Sequence, residues 1–179
     1  MPTQGRRRPP RDADLFAFKA HFRNCDLPPG LMPLIVFPGG YGGMVHSDGG
    51  RTTFSCCIRR DHLDRCREEW KHAKAAEAVF AHVQNECRGV REAVACAARD
   101  GAWLSAGPIR PGIRSFRHDG IFAVGNAAGE AHPIVAEGIS MAIQSAWLLC
   151  ERLIARRNVL SSRAAMAAVE YDYEASWRR

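Results

Sequence analysis

The sequence predicts an α+β protein in which an antiparallel or mixed sheet with helices precedes a strand–loop–helix segment. Alternating apolar residues between positions 13 and 60 predict strands. Apolar residues at helical spacing between 61 and 99 predict helices. From Gly120 to Ala146 a short apolar run changes to a loop of small residues and then to a helix. The 179 residues are enough for a real hydrophobic core.

The first twelve residues form a predicted disordered basic tail, because they contain Arg, Pro and Gly but little that could build a core. The net charge of +6 comes from the ends of the chain, whereas residues 12–150 sum to zero. A basic patch interleaved with aromatic residues is absent, so we expect no nucleic-acid partner.

Further expectations follow from composition and from the motifs that are absent. No apolar run approaches the roughly 20 residues of a membrane span, and no secretory signal is visible, so we expect a cytoplasmic protein without a transmembrane segment. The seven cysteines include no Cys-x-x-Cys, and reduced thiols are expected. Cys87, Cys96 and Cys150 are predicted as small core residues. No ligand spacing typical of a metal site occurs.

Four strands are predicted in the first part of the sheet region, each bounded by Gly, Pro, Asn or Asp. The hairpin turn Ser47–Gly50 separates the last two. The strands cover Leu15–Phe22, Leu31–Phe37, Tyr41–His46 and Arg51–Ile58.

Residues 61–99 are predicted as helices that Gly89 separates. The chain then returns through residues 102–118 to a loop that contains Arg110 and Arg114. These two arginines either contact a cofactor phosphate or an acidic substrate, or they are solvated loop residues.

The strand–loop–helix segment starts with Ile121–Val124, which is predicted as a buried strand. Gly125 ends the strand, Pro133 interrupts the loop, and Gly138 opens a helix. Seven apolar residues of this helix lie at helical spacing and are predicted to share one face: Ile139, Ala142, Ile143, Ala146, Leu149, Cys150 and Leu153. A last helix is predicted within residues 159–179, with Met166, Val169 and Tyr173 at helical spacing. The start of the helix that Gly138 opens offers unpaired N–H groups and a partial positive charge to a ligand.

This segment resembles the C-terminal flavin-contacting motif of FAD-dependent monooxygenases and geranylgeranyl-reductase-like oxidoreductases. The motif stands here as Gly125-Asn126-Ala127-Ala128, then Pro133, then Glu137-Gly138-Ile139, and the resemblance is specific over about residues 107–155. It implies seven cofactor-binding residues: Gly125, Asn126, Ala127, Pro133, Glu137, Gly138 and Ile139. Asn126 stands where the family usually has Asp, and its amide oxygen can still accept a hydrogen bond. The alternative for Asn126 is a residue that caps a turn.

The resemblance also implies the function. We expect an FAD-dependent oxidoreductase, most like a monooxygenase (hydroxylase), with NAD(P)H reducing the flavin and a small hydrophobic or aromatic substrate. A reductase of the geranylgeranyl-reductase type is the alternative. Phe37, Tyr41 and Met44 either line the substrate pocket or belong to the core and turns. His132 and Glu137 are candidates for an acid or base, against simpler roles as a loop residue and a helix cap.

Enzymes of this type begin with a strand, a Gly-x-Gly-x-x-Gly turn and a helix that hold the ADP half of FAD. The sequence contains no such fingerprint. The resemblance therefore implies the C-terminal half of such an enzyme, with the Rossmann part missing. Residues 13–106 would be its substrate domain, 107–158 the C-terminal part of its FAD-binding domain, and 159–179 a terminal helix. Such a chain is expected to be a truncated product or a remnant that needs a partner, and to self-associate through uncovered apolar surface.

Overall fold

The computed structural model describes residues 9–71, 73–159 and 162–178. Most of the predicted basic tail, residues 1–8, lies outside the described residues. The chain divides into two compact units, one ending at Ile109 and the other beginning at Arg110. They are called here the sheet unit and the helical unit.

The sheet unit contains five antiparallel strands in the order β2-β3-β4-β1-β5. Their bounds are β1 Leu15–Arg23, β2 Leu34–Phe37, β3 Gly40–Ser47, β4 Arg51–Arg59 and β5 Ala98–Ile109. A tight turn joins β3 to β4, where Gly49 and Gly50 take positive φ angles of 72° and 69°, as hairpin turns require. The four predicted strands are present, although β2 begins at Leu34 rather than at Leu31, and the α+β class is confirmed.

Three helices pack on one face of this sheet: α1 Arg60–Glu69, α2 Ala75–Glu86 and α3 Arg88–Ala93. Alternate side chains of β1 and β4 reach the helices, among them Phe18, Phe54 and Ile58. The ring of Phe80 on α2 lies 5.0 Å from that of Phe54 and 5.1 Å from that of Phe22, measured between centroids. The helices separate at Cys87 rather than at Gly89, which lies inside α3.

The helical unit is built on α4 Gly138–Ala155 and α5 Arg163–Trp177. Two pairs of very short strands precede them: β6 Gly112–Ile113 with β9 Gly129–Glu130, and β7 Arg117–His118 with β8 Ile121–Phe122. Three single 3₁₀ turns cover Gly125–Ala127, Pro133–Val135 and Arg157–Val159. The core of the unit consists of Phe116, Ala128, Leu149, Val169 and Tyr173. The predicted final helix is present, and two of its three predicted apolar residues are fully buried.

The prediction of a buried strand at Ile121–Val124 is wrong. The strand ends at Phe122, and the exposed fractions of Ile121 and Val124 are 74% and 38%. The reason is that β8 belongs to a two-stranded sheet with β7, so neighbouring strands do not enclose it. Phe122 and Ala123 still pack partly against the core of the unit.

The apolar face predicted for α4 is only partly covered within the unit. Leu149 is buried and Leu153 packs partly against the core, whereas Ile139 and Ile143 are 80% and 66% exposed. The apolar arc of α4 is wider than the surface that its neighbours cover within the unit. Ile139, Ile143, Trp147 and Ile154 form an exposed stripe, called here the outer face of α4.

Three cysteines predicted as core residues are not buried. Cys96 and Cys150 are exposed, and Cys87 is half-buried. Helical spacing places a residue on an arc of the helix but does not say which part of that arc is covered.

Two structural observations concern membrane spanning and metal binding. No helix in the described part of the chain combines the length and the apolar character needed to cross a membrane. Among residues 9–71, 73–159 and 162–178, no three His, Cys, Asp or Glu side chains are grouped so that they could hold a metal ion.

Candidate functional site

The candidate site lies in the helical unit, where the chain turns after β8. Gly125 begins the 3₁₀ turn with a φ of +55°, a conformation that favours glycine. A Cβ atom at this position would lie 3.1 Å from the Cβ of Ala142 on α4. Glycine therefore allows the turn to approach the helix closely.

A hydrogen bond from α4 fixes this turn. The backbone N–H of Gly125 donates to Oγ of Ser145 at 2.8 Å, and the Ser145 hydroxyl donates to the carbonyl of Ala142 at 2.9 Å. Ser145 is fully buried. Ser145 is not among the residues predicted for the site, although a polar side chain among the apolar positions of α4 is a signal of such a role.

A second hydrogen bond holds the residue just before the turn. The hydroxyl of Tyr173 on α5 donates to the carbonyl of Ala123 at 2.9 Å, and its ring packs edge-on to Phe116. Burial raises the pKa of the Tyr173 hydroxyl, an effect that a hydrogen bond with Ser145 partly offsets. Both long helices of the unit thus position the turn.

Arg114 braces the other side of the same loop. Its guanidinium donates to the carbonyl of Asn126 at 2.5 Å and to Oε2 of Glu130 at 2.6 Å, and its backbone N–H donates to the carbonyl of Ala128 at 2.8 Å. The Arg114 guanidinium therefore fixes the loop by bonding to the backbone carbonyl of Asn126 and to the carboxylate of Glu130. Asn126, whose backbone carbonyl accepts this hydrogen bond, is itself an exposed residue.

The loop leads to α4 through a second 3₁₀ turn. Pro133 is its first residue, and Nδ1 of His132 accepts a hydrogen bond from the N–H of Ile134 at 3.4 Å. Ala136 then takes a φ of +56°. These conformations redirect the chain into the first residue of the helix.

The start of α4 is open. No side chain caps it, and the carboxylate of Glu137 instead accepts a hydrogen bond from the Ser140 hydroxyl at 2.7 Å. Gly138 and Ile139 are exposed, and a Cβ on Gly138 would meet nothing within 4 Å. The N–H groups of a first helical turn have no partner within the helix, so this end can offer donors and a partial positive charge to a ligand.

All seven predicted cofactor-binding residues lie in this one unit. Gly125 is buried and Pro133 is half-buried. The others are exposed: Asn126, Ala127, Glu137, Gly138 and Ile139. The turn that carries the first three packs against α4, the helix whose first turn carries the last two. The sequence motif thus corresponds to a loop with an exposed surface and an internally fixed backbone.

The three residues considered for a substrate pocket lie in different surroundings. Phe37 and Met44 are 5% and 1% exposed and belong to the core of the sheet unit. Tyr41 lies on the opposite face of the sheet, half-buried, with a side-chain hydrogen bond to Cys57. The core interpretation therefore holds for Phe37, whereas Met44 belongs to the core and also lines an apolar cavity of this unit.

No protein-family model matches the sequence, and no curated protein matches it at a significant level. Several solved structures, by contrast, are similar to this chain. The chain is similar to the myxobacterial chondrochloren halogenase CndH, described as a variant of FAD-dependent halogenases, with a TM-score of 0.71 and 21% identity over 94% of this chain. It is similar to CmlS, a flavin-dependent halogenase, with a TM-score of 0.66 and 19% identity over 94% of this chain.

A third similar structure is PqsL, a probable FAD-dependent monooxygenase from Pseudomonas aeruginosa, with a TM-score of 0.60 and 15% identity over 96% of this chain. The matched region spans 39% of CndH, 30% of CmlS and 45% of PqsL. The chain therefore has less than half the length of these proteins. Its two units have the fold found in that part of an FAD-dependent, monooxygenase-like flavoprotein.

Proposed function

We propose that the chain is part of an FAD-dependent oxidoreductase of the monooxygenase kind, in which NAD(P)H reduces the flavin. The observation that carries the proposal is the uncapped start of α4 beside the glycine turn that Ser145 holds in place. The likeness in fold to two FAD-dependent halogenases and a probable FAD-dependent monooxygenase supports it.

The residues present fit a flavin. The open space at Gly138 and the small side chain of the exposed Ala127 leave backbone accessible, and the N–H groups of Gly138 and Ile139 suit an acceptor that carries negative charge. The exposed amide of Asn126 can both accept and donate. When bound, FAD would supply the redox centre. The chain's own contribution is to hold it and to stabilise negative charge.

The acid or base roles considered for His132 and Glu137 gain no support from the geometry. Nδ1 of His132 accepts from the Ile134 N–H, and the Glu137 carboxylate accepts from Ser140. Both side chains make the local hydrogen bonds of a loop residue and of a helix start. We therefore assign neither a catalytic role.

The substrate we propose is a small hydrophobic or aromatic molecule, and the reaction is hydroxylation. Two other reactions stay as alternatives. Halogenation is a candidate because CndH and CmlS are named as halogenases. Reduction of a double bond, as in geranylgeranyl-reductase-type enzymes, is the other. Product analysis with and without chloride or bromide separates the three, since each leaves a different group on the substrate.

The outer face of α4 bears on partners. Ile139, Ile143, Trp147 and Ile154 are between 62% and 80% exposed, and contiguous apolar surface of this kind marks an interaction site. We propose that a dinucleotide-binding part of the oxidoreductase covers this face. With seven free thiols, we propose a cytoplasmic location.

The test is a titration of FAD with the purified chain, followed by flavin absorbance and fluorescence, and then by anaerobic addition of NADPH or NADH. We expect saturable binding that Asn126→Ala weakens several-fold. The matched control is Asn85→Ala, an exposed asparagine on α2 of the sheet unit, and it should leave binding unchanged. A folded chain that leaves FAD free would contradict flavin binding by this chain. Binding without bleaching of the flavin band would contradict the proposed use of NAD(P)H.

A further inference from the structure

Strand β2 forms an edge of the sheet, with β3 as its neighbour. The register pairs Leu34 with Gly43 and Val36 with Tyr41. Just before β2, the N–H of Met44 donates to the carbonyl of Pro33 at 3.3 Å. In an antiparallel ladder, alternate residues bond to the neighbouring strand. Ile35 and Phe37 therefore bond inward, like Pro33, whereas the N–H and C=O groups of Leu34 and Val36 point away from the sheet.

The side chains on this edge are apolar and open to solvent. Leu34 and Val36 are 84% and 81% exposed, and Leu31 and Met32 in the preceding loop are 47% and 63% exposed. No charged residue occurs from Leu31 to Pro38. Charged side chains are a common means of keeping a sheet edge from pairing, and this edge has none. Among the described residues, the neighbour recorded here is the thiol of Cys87, a weak donor 3.6 Å from the carbonyl of Val36.

A cavity of about 370 Å³ lies beside this edge, between β2 and α3. Its walls are mainly apolar and include Ile35, Met44, Val90 and Ala93. Side chains alternate between the two faces of a sheet. A strand added to the edge of β2 would therefore direct every second side chain toward the face of the sheet where this cavity lies.

We propose that two copies of the chain associate by antiparallel pairing of β2 with β2, which joins the two five-stranded sheets. With the two-fold axis at Ile35, Leu34 of each copy lies opposite Val36 of the other. The outward N–H groups of both residues then donate to the outward carbonyls of the second copy. This register satisfies all the outward backbone groups of both strands.

Three features favour a second copy as the occupant of this edge. First, the strand is self-complementary, because the same two residues supply donors and acceptors at matching positions. Second, Ile35 of the second copy falls on the side of the cavity, while the exposed Leu34 and Val36 of the two copies meet on the other face. Third, Pro33 fits, since its register lies opposite Phe37 of the second copy, where no hydrogen bond crosses. Pro33 and Pro38 limit the pairing to the four residues of β2, Leu34–Phe37.

The experiment combines sedimentation velocity over a range of concentrations with hydrogen exchange of the backbone amides. We expect a monomer–dimer equilibrium in which the amides of Leu34 and Val36 exchange more slowly as the concentration rises. Leu34→Lys and Val36→Pro should each raise the dimer dissociation constant by about tenfold or more. Val36→Pro removes an outward N–H and leaves the ladder with β3 intact. Leu34→Lys changes an exposed side chain and guards against a folding defect in the proline variant.

The control is Ile143→Lys, an equal change on the outer face of α4, which should leave the concentration-dependent protection of Leu34 and Val36 unchanged. A chain that is monomeric at all concentrations would overturn the proposal. So would a dimer that Ile143→Lys dissociates while both β2 variants leave it intact, because the interface would then lie on α4. Neither result bears on flavin binding, which is measured separately.

Discussion

Ser145 holds the Gly125 turn from inside the helical unit. Its hydroxyl accepts the only hydrogen that the Gly125 backbone can donate, at 2.8 Å and away from water. A buried N–H without an acceptor costs about 1–3 kcal/mol. We expect Ser145→Ala to lower the free energy of unfolding by this amount and to weaken FAD binding, because the turn is no longer fixed.

Urea denaturation measures this loss, and Ser162→Ala is the matched control. Ser162 precedes α5, is exposed, and makes no capping hydrogen bond with its side chain. Its replacement should change stability little. Equal stabilities of the two variants would show that the Gly125 N–H finds another partner.

The buried thiols of the sheet unit predict a loss of stability at high pH. Burial, with a smaller contribution from Glu69, raises the pKa of Cys66 from 9.0 to about 11, and burial and Cys57 raise that of Cys56 to about 12. The unfolded chain therefore loses these protons first. The stabilisation is complete below about pH 9 and declines as the pH rises toward the folded-state values.

Unfolding free energies measured at intervals between about pH 8 and pH 11 test this expectation. Cys66→Ala should make the decline shallower, whereas Cys96→Ala, which changes an exposed thiol, should leave the slope as it is. A slope that Cys66→Ala does not alter would mean that another group controls the alkaline transition.

The residues that could be predicted at this scale are those of the local motif. Gly125, Pro133, Glu137 and Gly138 follow from a pattern within fifteen positions. Ser145, Tyr173 and Arg114 were not identified as supports, because their partners lie 20, 50 and 12 residues away. Such distances carry no periodic signal.

At the scale of elements, the start of α4 affects both the stability of the helix and the binding of a ligand. Glu137 places a carboxylate at the positive end of the helix, held by Ser140 at 2.7 Å. That negative charge stabilises the helix but opposes an anionic ligand at the same end. We expect Glu137→Gln to tighten binding of reduced FAD a few-fold and so to raise the flavin midpoint potential.

Potentiometric titration with FAD bound checks this effect, and Glu151→Gln supplies the control. Glu151 lies on the same helix beyond its midpoint and pairs with Arg152, so its replacement should leave the potential nearly unchanged. Weaker FAD binding by Glu137→Gln would instead indicate that the carboxylate contacts the ligand directly.

Elements with a strong pattern could be predicted, and those at edges could not. Apolar alternation located β1, β3 and β4 to within a residue or two. Strand β5 went unrecognised, because Gly101, Gly107 and Pro108 interrupt it and such residues normally mark loops. It forms because β1 supplies a partner along most of its length. The exposed half of α4 was unpredictable for a related reason, since amphipathicity does not reveal which neighbour is present.

At the scale of the whole molecule, the class and its relation to flavoproteins were accessible from the sequence. The resemblance rests on one segment, yet the similarity in fold to CndH extends over 94% of this chain at 21% identity. The strand order β2-β3-β4-β1-β5 could not be predicted, because it depends on pairings between distant segments. The exposed edge of β2 follows from that topology, whereas the outer face of α4 belongs to the helical unit; both are sites where we propose partners.

The central claim is that the start of α4 and the turn at Gly125 hold the flavin. Amide hydrogen exchange of the chain with and without FAD tests it most directly. We predict that FAD slows exchange at residues 125–127 and 138–140, while the start of α2 at Ala75–Glu77 is unaffected. Protection confined to the sheet unit, or no change at either segment despite bound FAD, would contradict the claim.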